Sequence, residues 1–365
     1  MSLQIFRGAK VIVTGHTGFK GSWLSLWLDL VGAKVTGISI DEVSIPSHFS
    51  AVTLSNYIED IRVDIRDVEA LKSVFNSIKP DFVFHLAAQS LVKKSYGQTI
   101  DTWHTNTFGT INILEALRGI KNNCVAVMIT SDKCYDNVEW TWGYRETDKL
   151  GGPDPYSASK GAAELAINSY VKSFFPKGGK IRIGVGRAGN VIGGGDWAED
   201  RIVPDCIKAW SSNEDVNLRN PKATRPWQHV LEPLGGYITL AKALEFDSSL
   251  HGEAFNFGPP ASQNHSVLEL VTEMGKHWDK VRWKDLSKNY DGPSESSLLK
   301  LNCDKALHIL GWEAAWDFEE TVRETSLWYK TYYSNPNISI TDYSISQIEG
   351  YIAMAKSKEL DWATK

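Results

Sequence analysis

Cysteine is scarce: four in 365 residues, with no CxxC pair and no cysteine–histidine cluster at zinc-ligand spacing. Cys124, Cys134, Cys206 and Cys303 therefore read as reduced thiols of a cytoplasmic protein with no metal centre. Positive charge is not in excess, since 39 Lys and Arg stand against 44 Asp and Glu. A general grip on nucleic acid needs a basic surface that displaces counterions, so the composition argues against it. No apolar run approaches the roughly 18 residues that span a bilayer, and the first ten residues lack an apolar signal core. Membrane insertion and secretion are poor readings. Internal repeats and linkers rich in Ser, Gly or Pro are also missing. At ~100–200 residues per domain the chain makes about two units, and without a linker they are expected to share a cleft.

What is present is an alternation of short apolar runs and helical patterns. Strands are expected over 10–14, 35–40, 57–63, 82–86, 125–130 and 181–185. Helices are expected over 22–31, 67–78, 102–117, 158–175 and 233–244. Strands that alternate with helices build right-handed βαβ units and a parallel sheet. The expected fold is α/β: a doubly wound (Rossmann) parallel sheet with a smaller C-terminal α/β substrate lobe. The sheet domain takes 1–188 together with about 230–255. The lobe takes 189–229 and 256–333, and 334–365 is a polar tail with a weak terminal helix. The 14 Trp are expected to pack the core and the cleft.

The first strand runs into Gly15, Gly18 and Gly21, a GxxGxxG turn that opens the first helix. Glycines there let the backbone approach a pyrophosphate at the positive end of the helix. The spacing alone is weak evidence, but it stands in the context such a site requires. His16, Phe19 and Lys20 belong to the same turn; a cation there contacts the pyrophosphate or is solvated. Asp41 follows Gly21 by 20 residues, at the end of the second strand. It could bond a ribose and, with no Arg or Lys beside it, favour NAD over NADP, or be an exposed loop carboxylate. Asp64 and Ile65 end the third strand near an adenine. Leu86, Ala87 and Ala88 end the fourth, small enough for a cofactor to pass.

Tyr156 and Lys160 stand four apart on a helix that Pro155 opens, so they share a face. An ammonium beside a phenol favours the phenolate. Ser131, Asp132 and Lys133 close the fifth strand at the carboxyl edge, where doubly wound sheets place ligands. Ser131 can donate to a substrate hydroxyl. Asp132 and Lys133 offer an acid and an amine, or an ordinary ion pair in a solvated turn. Cys134 reads as a passenger.

The glycine turn, Ser131, Tyr156 and Lys160 resemble the extended short-chain dehydrogenase/reductase family in its nucleotide-sugar branch. The stretches 14–21, 130–137, 187–197 and 225–230 carry the likeness more narrowly to its 4,6-dehydratases, and it covers roughly residues 7–329. The resemblance implies NAD as cofactor and CDP-D-glucose as substrate. It implies that Tyr156 takes the proton of the carbon-4 hydroxyl while a hydride leaves for NAD. Ser131 would polarise the carbon-4 oxygen, and Asp132 would protonate the hydroxyl departing from carbon 6. Lys133 stands where related dehydratases carry Glu; as a neutral amine it would remove the carbon-5 proton, or else only stabilise an enolate. The hydride would return to carbon 6, giving the 4-keto-6-deoxy product. By the same resemblance Asn190 would contact the phosphates or sugar. Arg201, Arg219 and Arg225 are candidate phosphate clamps, since guanidinium forks suit phosphate oxygens, or ordinary surface arginines; Gln89, after the fourth strand, could touch the sugar, and Lys300 and Glu295 are weaker candidates. A homodimer or higher homo-oligomer through the 102–117 and Tyr156 helices is implied as well. Competing expectations are a nucleotide-sugar 4-epimerase or reductase, and a non-catalytic NAD-sensing protein on the same fold.

Overall fold

The apolar runs pair as a seven-stranded parallel sheet in a computed structural model that describes residues 3–287 and 298–364. Its strands are β1 (Lys10–Thr14), β2 (Lys34–Ser39), β3 (Glu59–Arg62), β4 (Phe82–His85), β5 (Cys124–Ile129), β6 (Ile181–Ala188) and β7 (Ala254–Phe257). Their spatial order is 7-6-5-4-1-2-3. The order reverses between β1 and β4, and such switch points open a crevice at the carboxyl ends of the strands. Glu295 lies outside the described residues.

Both faces of the sheet are covered, and the period-two pattern divides the core accordingly. Val11, Val13, Val125, Val127 and Ile129 enter one cluster with α1 (Phe19–Leu30). Ile12, Ala126 and Met128 enter the other with α2 (Val68–Ile78) and α3 (Gly109–Gly119). On that second face lies α4 (Pro155–Phe174), which contributes Ile167. Its start is written in the sequence: the Asp154 side chain accepts from the N–H of Ser157, and Pro155 sits at the first helical position. The expected 102–117 helix is instead three pieces: Thr99–Trp103, a π-helical turn at His104–Phe108, and α3. Asn106 sits in that turn and bonds both Gln89 and Ser159, a local widening typical of functional regions.

Beyond β6 the lobe is built from α5 (Ile202–Ser211) and short strand pairs, Val216–Leu218 with Trp283–Asp285 and Thr224–Arg225 with His265–Ser266. Then α6 (Leu231–Phe246) returns to the first core face, and α7 (Val267–Met274) and α8 (Phe318–Ser334) close the lobe. Strand β7 has no counterpart among the expected strands. It is four residues long and carries a buried Asn256, whose amide is bound by the carbonyls of Tyr144 and Asn302. The segment expected as a polar tail is a docked helix, α9 (Ile340–Ser357), followed by Asp361–Thr364. Ile348, Tyr351 and Trp362 are buried in the main core, and Thr341 donates to the carbonyl of Val52 at 2.9 Å. None of the described helices is long and apolar enough to cross a membrane.

Candidate active site

The glycine turn is shaped by close backbone approach. Gly15 has φ 78°, and a Cβ on it would lie 2.8 Å from the amide nitrogen of Ala87. A Cβ on Gly21 would lie 2.1 Å from the carbonyl oxygen of Gly15. Thr14 pins the turn to the end of β4: its hydroxyl accepts from the N–H of Ala87 at 3.2 Å and bonds Nδ1 of His85 at 2.8 Å. No side chain caps the first turn of α1, which leaves its N–H groups without a side-chain acceptor. Those donors and the cradle fit a pyrophosphate.

The two basic residues of the turn go different ways. A Cβ on Gly37 would fall 2.2 Å from Cγ of His16, so β2 makes room for the imidazole there. The buried ring bonds Asp60 at 2.8 Å and meets Phe49 edge-on. Burial holds its pKa below the usual value despite Asp60, so His16 is not a cation aimed at a pyrophosphate. Lys20 instead reaches the strand ends. Burial pushes it down to about 8, and the charges acting on it are those of Asp132, Arg201 and Lys160.

Asp41 lies exposed at the end of β2, its carbonyl accepting from Thr17. Arg62 donates to the adjacent carbonyl of Ile40 at 2.7 Å, so a guanidinium that no sequence neighbour announced stands beside Asp41. The Arg66 guanidinium holds the Asp64 carboxyl below its usual range. Ile65 is buried against Gly109, where α3 begins.

At the end of β5 the chain tightens into a 3-10 turn, Asp132–Cys134, which Ser131 caps. The Ser131 hydroxyl accepts from the N–H of Lys133 at 3.2 Å and donates to Asp132 Oδ1 at 2.9 Å. Gly189 supplies the space for that carboxyl, since a Cβ there would lie 2.8 Å from Asp132 Oδ2. Lys133 is half-buried beside it. Tyr156 projects from the first turn of α4 into the same place. Burial pushes its phenol up to about 12, against which a hydrogen bond with Ser131 and the Arg201 charge act. Lys160, expected to favour the phenolate, is not among the groups that act on the phenol; the opposing charge comes from Arg201. Lys160 is itself pushed down to about 8 by burial, with Glu164 opposing, and donates to the carbonyl of Ile129 at 3.4 Å. Cys134 is buried and its thiol pushed well up by burial, which leaves it without thiolate chemistry.

Sequence reasoning missed the support beneath this cluster. Glu164, one turn after Lys160, receives Nε and Nη2 of Arg187 at 2.8 and 2.9 Å and the hydroxyl of Thr130 at 2.5 Å. Arg187 also donates to Tyr135, which donates to Asn256. The i+4 spacing of Lys160 and Glu164 was a signal; the partner on β6 was not.

Of the expected substrate contacts, Arg201 joins the cluster, held by Asp196 at 2.6 Å. Asn190 is half-buried one residue past Gly189, and its carbonyl accepts from Gln228. Gln89 has its amide committed to Leu91 and Thr102, so it shapes the loop rather than presenting a free donor. Arg219 pairs with Asp200 at 2.5 Å, and Asp200 also binds Lys93 across the crevice. Arg225 is buried and donates to the carbonyl of Thr224. Lys300 is half-buried, and its carbonyl accepts the N–H of Tyr144.

Comparison with known proteins bears on the chain as a whole. A CDP-glucose 4,6-dehydratase of Salmonella typhimurium is 47% identical over 334 residues, covering 90% of this chain and 92% of that protein. A dTDP-D-glucose 4,6-dehydratase of Dictyostelium discoideum is 25% identical, covering 90% and 84%. Among solved structures, a UDP-glucose 4-epimerase of Stenotrophomonas maltophila with bound NAD has a TM-score of 0.75 over 89% of this chain and 98% of its own; at 21% identity that likeness carries the fold. The sequence pattern of the GDP-mannose 4,6 dehydratase family matches residues 12–325. A match of that span, beside a relative aligned over nine tenths of the chain, means that the protein belongs to the GDP-mannose 4,6 dehydratase family.

Proposed function

We propose that the protein dehydrates CDP-D-glucose to CDP-4-keto-6-deoxy-D-glucose with NAD as its cofactor. The observation that carries this reading is the single cluster of Ser131, Asp132, Tyr156 and Lys160 at the end of β5, beside a glycine cradle. The Salmonella relative supports the choice of substrate. Gly15, Gly18, Gly21 and Leu86–Ala88 would hold NAD, which would supply the acceptor for a hydride from the sugar and the donor for its return.

Tyr156 removes the proton of the carbon-4 hydroxyl as a phenolate, the form that the Ser131 hydrogen bond and the Arg201 charge favour against burial, while Ser131 donates to the oxygen left behind. The resulting ketone acidifies the proton on carbon 5. Lys133, as a neutral amine, removes that proton and Asp132 protonates the hydroxyl that leaves carbon 6 as water; with the hydride back on carbon 6, Lys133 returns the proton to carbon 5. An epimerase needs no acid at carbon 6; the carboxyl of Asp132, placed against Ser131, favours dehydration. The lobe formed by 189–229 and 256–333 holds the nucleotide diphosphate, with Arg201 nearest the reacting sugar. Two chains pair through the Thr99–Phe108 region and α4, which leave Ile100, Phe108 and Leu165 exposed.

The test is incubation with the CDP, dTDP, GDP and UDP forms of glucose, read by the alkaline absorbance of a 4-keto sugar. Turnover is expected with CDP-glucose. Tyr156→Phe is expected to lower kcat by about 10²–10⁴-fold. Failure of the unmodified protein to form a keto sugar from any of the four would sink the proposal.

A further inference from the structure

Tyr135 closes the 3-10 turn that carries Asp132 and Lys133, and its N–H donates to the carbonyl of Asp132 at 3.3 Å. The side chain is buried, and its ring stacks on Tyr144 at 5.1 Å, a contact that phenylalanine would make equally well. The hydroxyl is what packing does not require. It accepts from Nη1 of Arg187 at 2.7 Å and donates to Oδ1 of Asn256 at 2.8 Å.

Both partners are themselves fixed. Asn256 donates its side-chain amide to the carbonyls of Tyr144 at 2.8 Å and Asn302 at 3.1 Å, and its N–H to Glu146 at 2.8 Å. Arg187 is held by Glu164 and by the carbonyl of Glu146. A continuous chain of hydrogen bonds thus runs from Glu164 of α4 through Arg187 of β6, Tyr135 and Asn256 of β7 to Asn302 in the lobe. Tyr135 is the link that belongs to the reacting turn. The end of β6 locates that turn at two points: Arg187 grips Tyr135, and Gly189, two residues on, makes room for the Asp132 carboxyl. Without the hydroxyl, Arg187 and Asn256 each lose a buried partner and one of the two points is released.

We propose that Tyr135 is a positioning residue: its hydroxyl fixes Asp132 and Lys133 for the loss of water and ties their place to the docked lobe. The proposal rests on the reading above that these two residues act at carbons 6 and 5. Tyr156 stands on α4, outside the turn, so the preceding oxidation at carbon 4 does not depend on this link in the same way.

The experiment compares the unmodified protein, Tyr135→Phe, Asn256→Leu and Tyr144→Phe in rapidly quenched reactions with CDP-glucose, the sugars being identified by mass spectrometry. Tyr135→Phe is expected to lower kcat by about 10–10²-fold with KM unchanged. Its main quenched species should be a 4-keto sugar that still carries the carbon-6 hydroxyl. Asn256→Leu breaks the same link from the lobe side and is expected to accumulate the same sugar; it serves as the second reading should Tyr135→Phe fail to fold. Tyr144→Phe loses the bonds of its own hydroxyl to Val138 and Asn137 but leaves the link intact. It is expected to lower the thermal midpoint and to yield fully dehydrated product. A folded Tyr135→Phe or Asn256→Leu protein in which oxidation and water loss slow together, or neither slows, overturns the proposal. If the unmodified protein forms no keto sugar, the functional reading fails instead.

Discussion

Asp132 owes its position to a residue with no side chain. The carboxyl lies where a Cβ on Gly189 would be, so Gly189→Ala forces it to move away from the sugar site. A displacement near 1 Å in a reacting group can lower the rate about 10²-fold. We expect that loss in kcat for Gly189→Ala, with little change in the thermal midpoint, because the backbone there is not left-handed. An unchanged kcat in steady-state assays would show that Asp132 does not need this position. Chain order showed that Gly189 follows the sixth strand, yet its role appears only when β6 is laid beside β5. The same holds for His16 and Lys20, four residues apart in one turn. The gap at Gly37 draws one into the core, while the other reaches the charges of Asp132, Arg201 and Lys160.

At the scale of elements, α4 is the part that carries chemistry, and its placement depends on the Glu164–Arg187 pair. Both side chains are only 4% exposed, so each would be a costly unpaired charge without the other. Arg187→Met is expected to destabilise the protein by about 3–5 kcal/mol. Arg187→Met combined with Glu164→Gln should recover much of that, since no buried charge is then unpaired. Denaturant titration of Arg187→Met, Glu164→Gln and the double variant measures the coupling, and additive losses would refute it. The start of α4 was legible because Asp154 and Pro155 are local signals. The pair that docks the helix on β6 was not, since 23 residues separate its partners. The π turn at His104–Phe108 was illegible for a similar reason: Asn106 answers to Gln89 and Ser159, not to its sequence neighbours.

Across the whole molecule, one buried carboxylate joins the C-terminal helices to the sheet domain. Glu232, in the first turn of α6, accepts from the N–H groups of Ala315 and Trp316 and from the hydroxyl of Tyr351. Burial raises its pKa from 4.5 to about 7 in spite of those donors. The folded protein therefore holds that proton more tightly than the unfolded chain. Its contribution to stability is complete below 4.5 and is lost as pH climbs through about 7, a change of about 3 kcal/mol. The thermal midpoint is expected to fall across that window in the unmodified protein and to fall less in Glu232→Gln. Parallel curves for the two would mean that the carboxyl does not titrate there. The terminal segment belongs to this assembly, because Tyr351 meets Trp27 of α1 edge-on while bonding Glu232.

Chain order by itself determined six of the seven strands, the crevice and the identity of the chemical groups at its edge. Alternating apolar periods and short connections leave a parallel, doubly wound sheet as the economical way to bury both faces, and glycines and a Tyr–Lys step are local signals. Tertiary structure alone decided which of those groups meet. Lys20, Asp132, Arg201 and Gly189 come from four separate stretches, and their convergence depends on strand order and on where side chains are missing. It also decided that the C-terminal segment is core: Ile348 and Tyr351 stand three apart on one helical face, and they matter because α1 and α6 present a surface that fits them.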